Sequence, residues 1–253
     1  MSPTPLLLSP ALPSELLTYI LNHHAYPTTL IICSSRIDFL TSLAEDIRQQ
    51  ANPPLSPGEH GTEPSSSTPP GTNQGPLKHQ LLSSPLYQIA TSKHIRVVYI
   101  PTVTHLRAYL TVFTPEDSKV PAPPPDFNHS RKSRHIILYG FLEIHRDTSE
   151  WSAQGLGNSA AALVELGHRL SWQTLVVEPR GNAPGCTFED LLKETAPYLS
   201  GGTRRIGPDA EEGGWSGRTV DVGRILKRWF RFEHGPWDIT FDEDEKKISR
   251  DAS

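Results

Sequence analysis

RHIILYGFLE, residues 134–143, is the stretch whose reading decides the fold. Its centre, Ile136, Ile137, Leu138 and Tyr139, is an apolar run held between the charged Arg134 and Gly140. A continuous apolar run of this length, rich in β-branched residues, is the pattern of a strand buried on both faces of a parallel sheet. Leu6-Leu7-Leu8, Leu30-Ile31-Ile32-Cys33 and Leu175-Val176-Val177 repeat that pattern. The segments between them carry apolar residues at helical spacing, so strand and helix alternate. The reading is an α/β fold, a mostly parallel sheet flanked by helices with 134–143 as a central strand.

Working outward, Ser14 is placed to cap a first helix, with Glu15 in the first turn and Leu16, Leu17, Ile20 and Leu21 on one face. A strand over 28–33 and a helix over 37–50 follow, with Phe39, Leu40, Leu43 and Ile47 inward. Residues 52–85 are dense in Pro, Ser, Gly and Thr, which predicts a disordered insertion. Residues 86–90 read as weakly structured, 94–100 as a strand and 104–114 as a helix. A Pro-rich flexible loop over 115–133 leads to the central strand. Beyond it come a polar loop over 145–157, a helix to Leu170 capped by Asn158 or Ser159, and a strand over 173–177. A helix over 188–199, a Gly-rich loop over 201–217, and a closing C-terminal β-hairpin from 223–233 and 237–242 complete a single domain over 1–242. The charged tail is 243–253.

The net charge of −4 excludes whole-surface attraction to nucleic acid and leaves room for a local basic patch. The 2 cysteines, Cys33 and Cys186, lie far apart in sequence, as expected in a reducing compartment. No apolar run approaches the length of a membrane span, and Leu6-Leu7-Leu8 is too short for a signal-peptide core, so a soluble intracellular protein is expected.

A phosphate-binding loop needs Gly-rich backbone, a Lys and a Ser/Thr. Its place, after the first strand and before the first helix, is SPALPSEL, residues 9–16, with Ser9, Pro13, Glu15 and Leu16 at the positions that matter. It has no Gly and no Lys. Two prolines remove amide donors, and Glu15 adds a negative charge. An Asp closing the central strand is missing too, since Tyr139 stands there. The pattern GLGNSA at 155–160 fits a dinucleotide-type GxGxxA but does not directly follow a strand, so a plain helix entry is the stronger reading. The 11 histidines show no metal spacing, and no GxSxG or Cys–His signature appears. No cofactor and no catalytic residue is expected. The chemistry-bearing feature is a basic cluster, Arg204, Arg205, Arg218, Arg224, Lys227, Arg228 and Arg231, with Trp229 and Phe230 interleaved. Such a cluster tracks a phosphate backbone. It is equally the outer edge of a solvated strand if the cations point apart.

The order of elements resembles the RecA-like core of recombinase paralogs, and within that group the SWIM-protein-associated, ATPase-like subunit of Shu-type recombination complexes. PLLLSPALPSELLTYIL resembles the first strand, P-loop and helix, TTLIICSSRIDFL the second strand, and HIRVVYIPTVTHLRAYL the next strand and helix. IILYGFLEIH takes the Walker B place, SAAALVELGHRLSWQTLVVE the following helix and strand, and RWFRFEHGPWDITF the closing hairpin. The likeness covers most of the chain by pattern and order, without a specific motif. Both Walker motifs are degenerate, so it implies a subunit that does not hydrolyse ATP. It implies instead a nuclear scaffold in homologous recombination and DNA repair. The implied partners are another RecA-like or SWIM-domain protein, as a hetero-oligomer, and single-stranded or forked DNA. The family's two DNA-binding loops correspond to 145–157, with Arg146, and 179–217, with Arg180, Arg204 and Arg205. An Elongator-type RecA-like scaffold in transfer-RNA modification, which would place the chain in the cytoplasm, and a small-molecule enzyme are the competing readings.

Overall fold

The computed structural model describes residues 3–23, 26–51, 86–117, 119–123, 134–181, 187–198 and 218–238. The expectations for 52–85, 124–133, 201–217 and 243–253, for Arg204 and Arg205, and for 239–242 of the hairpin lie outside these residues.

The stretch 134–143 supplies β4 (His135–Tyr139), which pairs in parallel with β2 (Thr28–Ile32) and β5 (Gln173–Pro179). Beyond β5 lie β1 (Leu6–Ala11) and β8 (Arg231–Glu233), and beyond β2 lies β3 (Ile95–Tyr99), giving the all-parallel order β3-β2-β4-β5-β1-β8. Alternate side chains enter different cores. Leu30, Ile32, Ile137, Tyr139 and Val177 meet α1 (Pro13–His23) and α2 (Arg36–Ala51) through Leu16, Ile20 and Phe39. Ile31, Ile136, Leu138 and Val176 meet α4 (Val103–Val112) and α5 (Ala153–Leu170) through Leu106, Leu110, Leu156 and Leu163. The chain crosses the sheet one way over the α1–α2 face and the other way over the α4–α5 face, as right-handed crossovers require. A short α3 (Leu86–Ser92) precedes β3, a helix where sequence predicts weak structure. Among the described residues no helix is long and apolar enough to cross a membrane.

Three expectations need correction. The first is the start of α5, capped by Ser152, whose hydroxyl accepts from the Gly155 amide at 3.0 Å, six residues before the predicted cap. Residues 145–152 are tight turns and His145 is fully buried, so 145–157 is not a polar loop. The second concerns α2, where Leu40 is 44% exposed and Asp46 is buried instead. The helix turns that side toward the first turn of α1, where Asp46 finds hydrogen-bond donors.

The third is at the C-terminal end. Helix α6 (Phe188–Lys193), held by a Thr187/Asp190 capping box, gives way to β6 (Thr195–Pro197). The antiparallel pair expected at the C-terminal end is present, but it is β6 with β7 (Thr219–Asp221). Residues 223–233 are therefore not a hairpin arm. They contain α7 (Val222–Leu226) and β8, which joins β1 in parallel. Val222, Ile225, Leu226 and Phe230 bury at helix-like spacing, which a strand could not satisfy.

Candidate nucleic-acid interface

The end of β1 and the first turn of α1 occupy the place of a phosphate loop. Only Leu12 separates the two elements. The first turn of a helix leaves its amides without intrahelical partners, which is why such turns attract phosphate. Here the protein's own carboxylates take them. Leu12 N–H donates to Glu15 Oε2 at 2.8 Å and Ser14 N–H donates to Asp46 Oδ2 at 2.9 Å, while Pro13 has no N–H. Gln50 Nε2 donates to both Ser14 Oγ and Asp46 Oδ1, locking the arrangement. Ser9 is buried and its hydroxyl accepts from the Gly235 amide, and Leu16 is a core residue. Burial raises the Glu15 pKa, with the Leu12 amide and the Arg180 guanidinium pulling the other way.

Beside this turn lies a cleft of about 410 Å³, lined in part by Asp38, Glu45, Asp46, Tyr139 and Arg180. Its carboxylates repel phosphate. Tyr139, the last residue of β4, donates its hydroxyl to Ala11 O at 2.9 Å, and its pKa is raised chiefly by burial. Arg180 is committed here as well, to Glu15 at 3.0 Å, to Asp238 at 3.5 Å and to Pro10 O. Arg146 makes a two-pronged pair with Glu194 at 2.6 and 2.8 Å and lies over the Trp151 ring. Both guanidinium charges are thus largely neutralised from within.

The basic cluster behaves differently. Arg224, Lys227 and Arg228 are all exposed, and their i, i+3, i+4 spacing on α7 and its continuing turn puts them on one face. The opposite face packs into the core through Val222, Ile225 and Leu226. None of the three makes an ion pair among the described residues. Arg218, just before β7, is exposed too, whereas Arg231 pairs with Glu233. Because 222–226 is helical and 227–229 continues it as a turn, side chains that a strand would send to two sides share one solvent-facing surface.

Two constellations escaped sequence reasoning. Glu178, at the end of β5, is buried; Oε1 accepts from the Leu142 amide at 2.8 Å and Oε2 has no partner among the described residues. Burial pushes its pKa up to about 8, against the Leu142 hydrogen bond and the Arg146 charge, and Glu143 pushes the same way as burial. The signal was a carboxylate directly closing the apolar run Leu175-Val176-Val177. His145 lies against Ser159 Oγ at 2.9 Å through Nε2 and Phe141 O at 2.7 Å through Nδ1. Arg107 donates to Ser159 Oγ, Glu150 and Gly155 O, tying α4 to α5. Both His145 and Ser159 are 0% exposed, so this Ser–His pair meets no substrate and serves packing. Among the described residues no group of three His, Cys, Asp or Glu is placed to hold a metal ion.

No protein-family model matches the chain, and neither does any curated protein or solved structure.

Proposed function

We propose that the chain is a non-catalytic, RecA-like subunit of a Shu-type recombination-accessory complex, acting in the nucleus in DNA repair. It holds a RecA-like or SWIM-domain partner and rests the basic face of α7 on single-stranded or forked DNA. The observation that carries this reading is the use of the α1 first-turn amides. With the Leu12 and Ser14 amides taken by Glu15 and Asp46, and Pro13 without an N–H, this turn offers little to a triphosphate. Arg224, Lys227 and Arg228 supply the positive face that such a scaffold needs. With only phosphate contacts, binding depends on salt and hardly on sequence.

The test is fluorescence anisotropy of a labelled DNA fork over a salt series, with the partner present. The triple variant Arg224→Gln, Lys227→Gln, Arg228→Gln is expected to lower the slope of log affinity against log salt by about 2 to 3. An unchanged slope removes DNA binding from the proposal. Calorimetry with Mg-ATP is expected to show no heat of binding, and micromolar affinity overturns the non-catalytic reading. Tighter binding to transfer RNA than to the fork favours the Elongator-type scaffold.

A further inference from the structure

At the other end of the sheet, where β2, β3 and β4 begin, lies a separate pocket of about 270 Å³. Its lining includes Arg96 and Arg134, Glu116, and the rings of Tyr26, Phe113 and Trp172. Phe113 stands edge-on to Trp172 with centroids 6.0 Å apart, forming an aromatic wall.

Arg96 is the unusual member. Four arginines among the described residues are partly buried: Arg96, Arg107, Arg146 and Arg180. The last three each pair with a carboxylate at 3.0 Å or less. Among the described residues Arg96 pairs with none. Its guanidinium carbon lies 5.7 Å from the centre of the Tyr109 ring and 5.5 Å from that of Phe113, and its Nη1 is buried without a hydrogen-bond partner. Stacking on rings offsets part of the desolvation of a guanidinium but leaves its in-plane N–H donors unanswered. A buried donor of this kind is normally matched, and the matching group for a guanidinium is a planar oxyanion. Arg134 adds a second, exposed cation with no ion pair among the described residues.

We propose that this pocket binds a carboxylate carried on an apolar or aromatic body, with Arg96 and Arg134 holding the carboxylate and Phe113 and Trp172 the body. Two guanidiniums against the one carboxylate of Glu116 leave the pocket net positive. Glu116 also selects the class: a singly charged carboxylate tolerates it at the rim better than a phosphate dianion does. The volume, just below that of drug-sized sites, admits one such group and little more. The carboxylate can belong to a free small acid or to an acidic residue beside an aromatic one in a partner peptide.

The experiment is calorimetric titration of the full chain with 3-phenylpropionate, 3-phenylpropionamide, inorganic phosphate and the acetylated, amidated dipeptide Phe-Glu. Binding of the acid, with none of the amide, is expected. The dipeptide binding tighter than the acid assigns the site to a partner segment, and the reverse assigns it to a small molecule. Arg134→Gln, an exposed change that leaves the core alone, is expected to weaken the acid about tenfold, the measure of one lost charged contact. Arg96→Met keeps the packing, is expected to abolish binding, and should melt no lower than the parent. No binding of either carboxylate, equal binding of acid and amide, tighter binding of phosphate, or a lower melting temperature for Arg96→Met overturns the proposal.

Discussion

Replacing Glu178 by Gln should make the protein more stable at alkaline pH and slightly less stable in acid. The carboxyl is buried, with a pKa of about 8 in the fold against an ordinary value of 4.5. The folded state therefore holds a proton that the unfolded chain gives up between those two values. Linkage fixes the sign: where the native state binds the extra proton, stability falls as pH rises. Glu178 costs nothing extra below pH 4.5, its cost grows to about 3 kcal/mol by pH 7, and it levels off near 5 kcal/mol above pH 8. Gln cannot ionise. Its Oε1 keeps the Leu142 amide bond. Its amino group lies where Oε2 now has no partner, which costs about 1–3 kcal/mol at every pH.

With the amide penalty taken at about 2 kcal/mol, the net effect is a loss of about 1 kcal/mol at pH 5 and a gain of about 3 kcal/mol at pH 8.5. For a chain of this length that gain raises the melting temperature by about 10 °C. The assay is differential scanning fluorimetry of parent and Glu178→Gln from pH 5 to 8.5, reading the difference between them. Groups that titrate alike in both proteins cancel in that difference. Burial lowers the His145 pKa and raises those of Cys33 and Tyr139, so these three stay neutral across the upper part of the range. A difference that stays flat from pH 5 to 8.5 refutes the reasoning, because it means that Glu178 ionises in the fold as it does in the chain.

The two glycines of GLGNSA should respond oppositely to alanine. A Cβ on Gly155 would lie 2.2 Å from Glu150 O, a backbone atom that cannot give way, so Gly155→Ala should cost about 2–3 kcal/mol by urea denaturation. Nothing lies within 4 Å of a Cβ on Gly157, so Gly157→Ala should stabilise by about 0.5–1 kcal/mol; equal losses at both would point to a ligand-cradling loop. Tyr139→Phe removes one buried hydrogen bond to Ala11 O, which keeps the Arg180 amide, so the same denaturation should show a cost of about 1 kcal/mol. A loss above about 3 kcal/mol there would mean that the hydroxyl does more than close this contact.

The sheet was legible because its signal is local. Each inner strand is a run of apolar residues whose neighbours in sequence serve both cores, so 136–139 alone report burial on two faces. Local rules failed where a contact came from elsewhere in the chain. Asn158 and Ser159 look like caps, but Ser152 takes that role, and Gly155 fits only because a neighbouring carbonyl leaves no room for a side chain. The sequence reading made 223–233 a hairpin arm, yet the core asks for Val222, Ile225 and Leu226 together, and that demand lines up Arg224, Lys227 and Arg228. The composition of the basic cluster was visible in sequence, while its geometry depended on packing. The phosphate-loop position makes the same point in reverse. Sequence shows which residues are missing from 9–16, but the group that answers the Ser14 amide is Asp46, 32 residues away. A carboxylate there satisfies the helix start as a phosphate would, and it does so permanently. The contact between β1, α1 and α2 is thereby closed by the chain's own side chains, Asp46 and Gln50 on one helix answering Ser14 on the other.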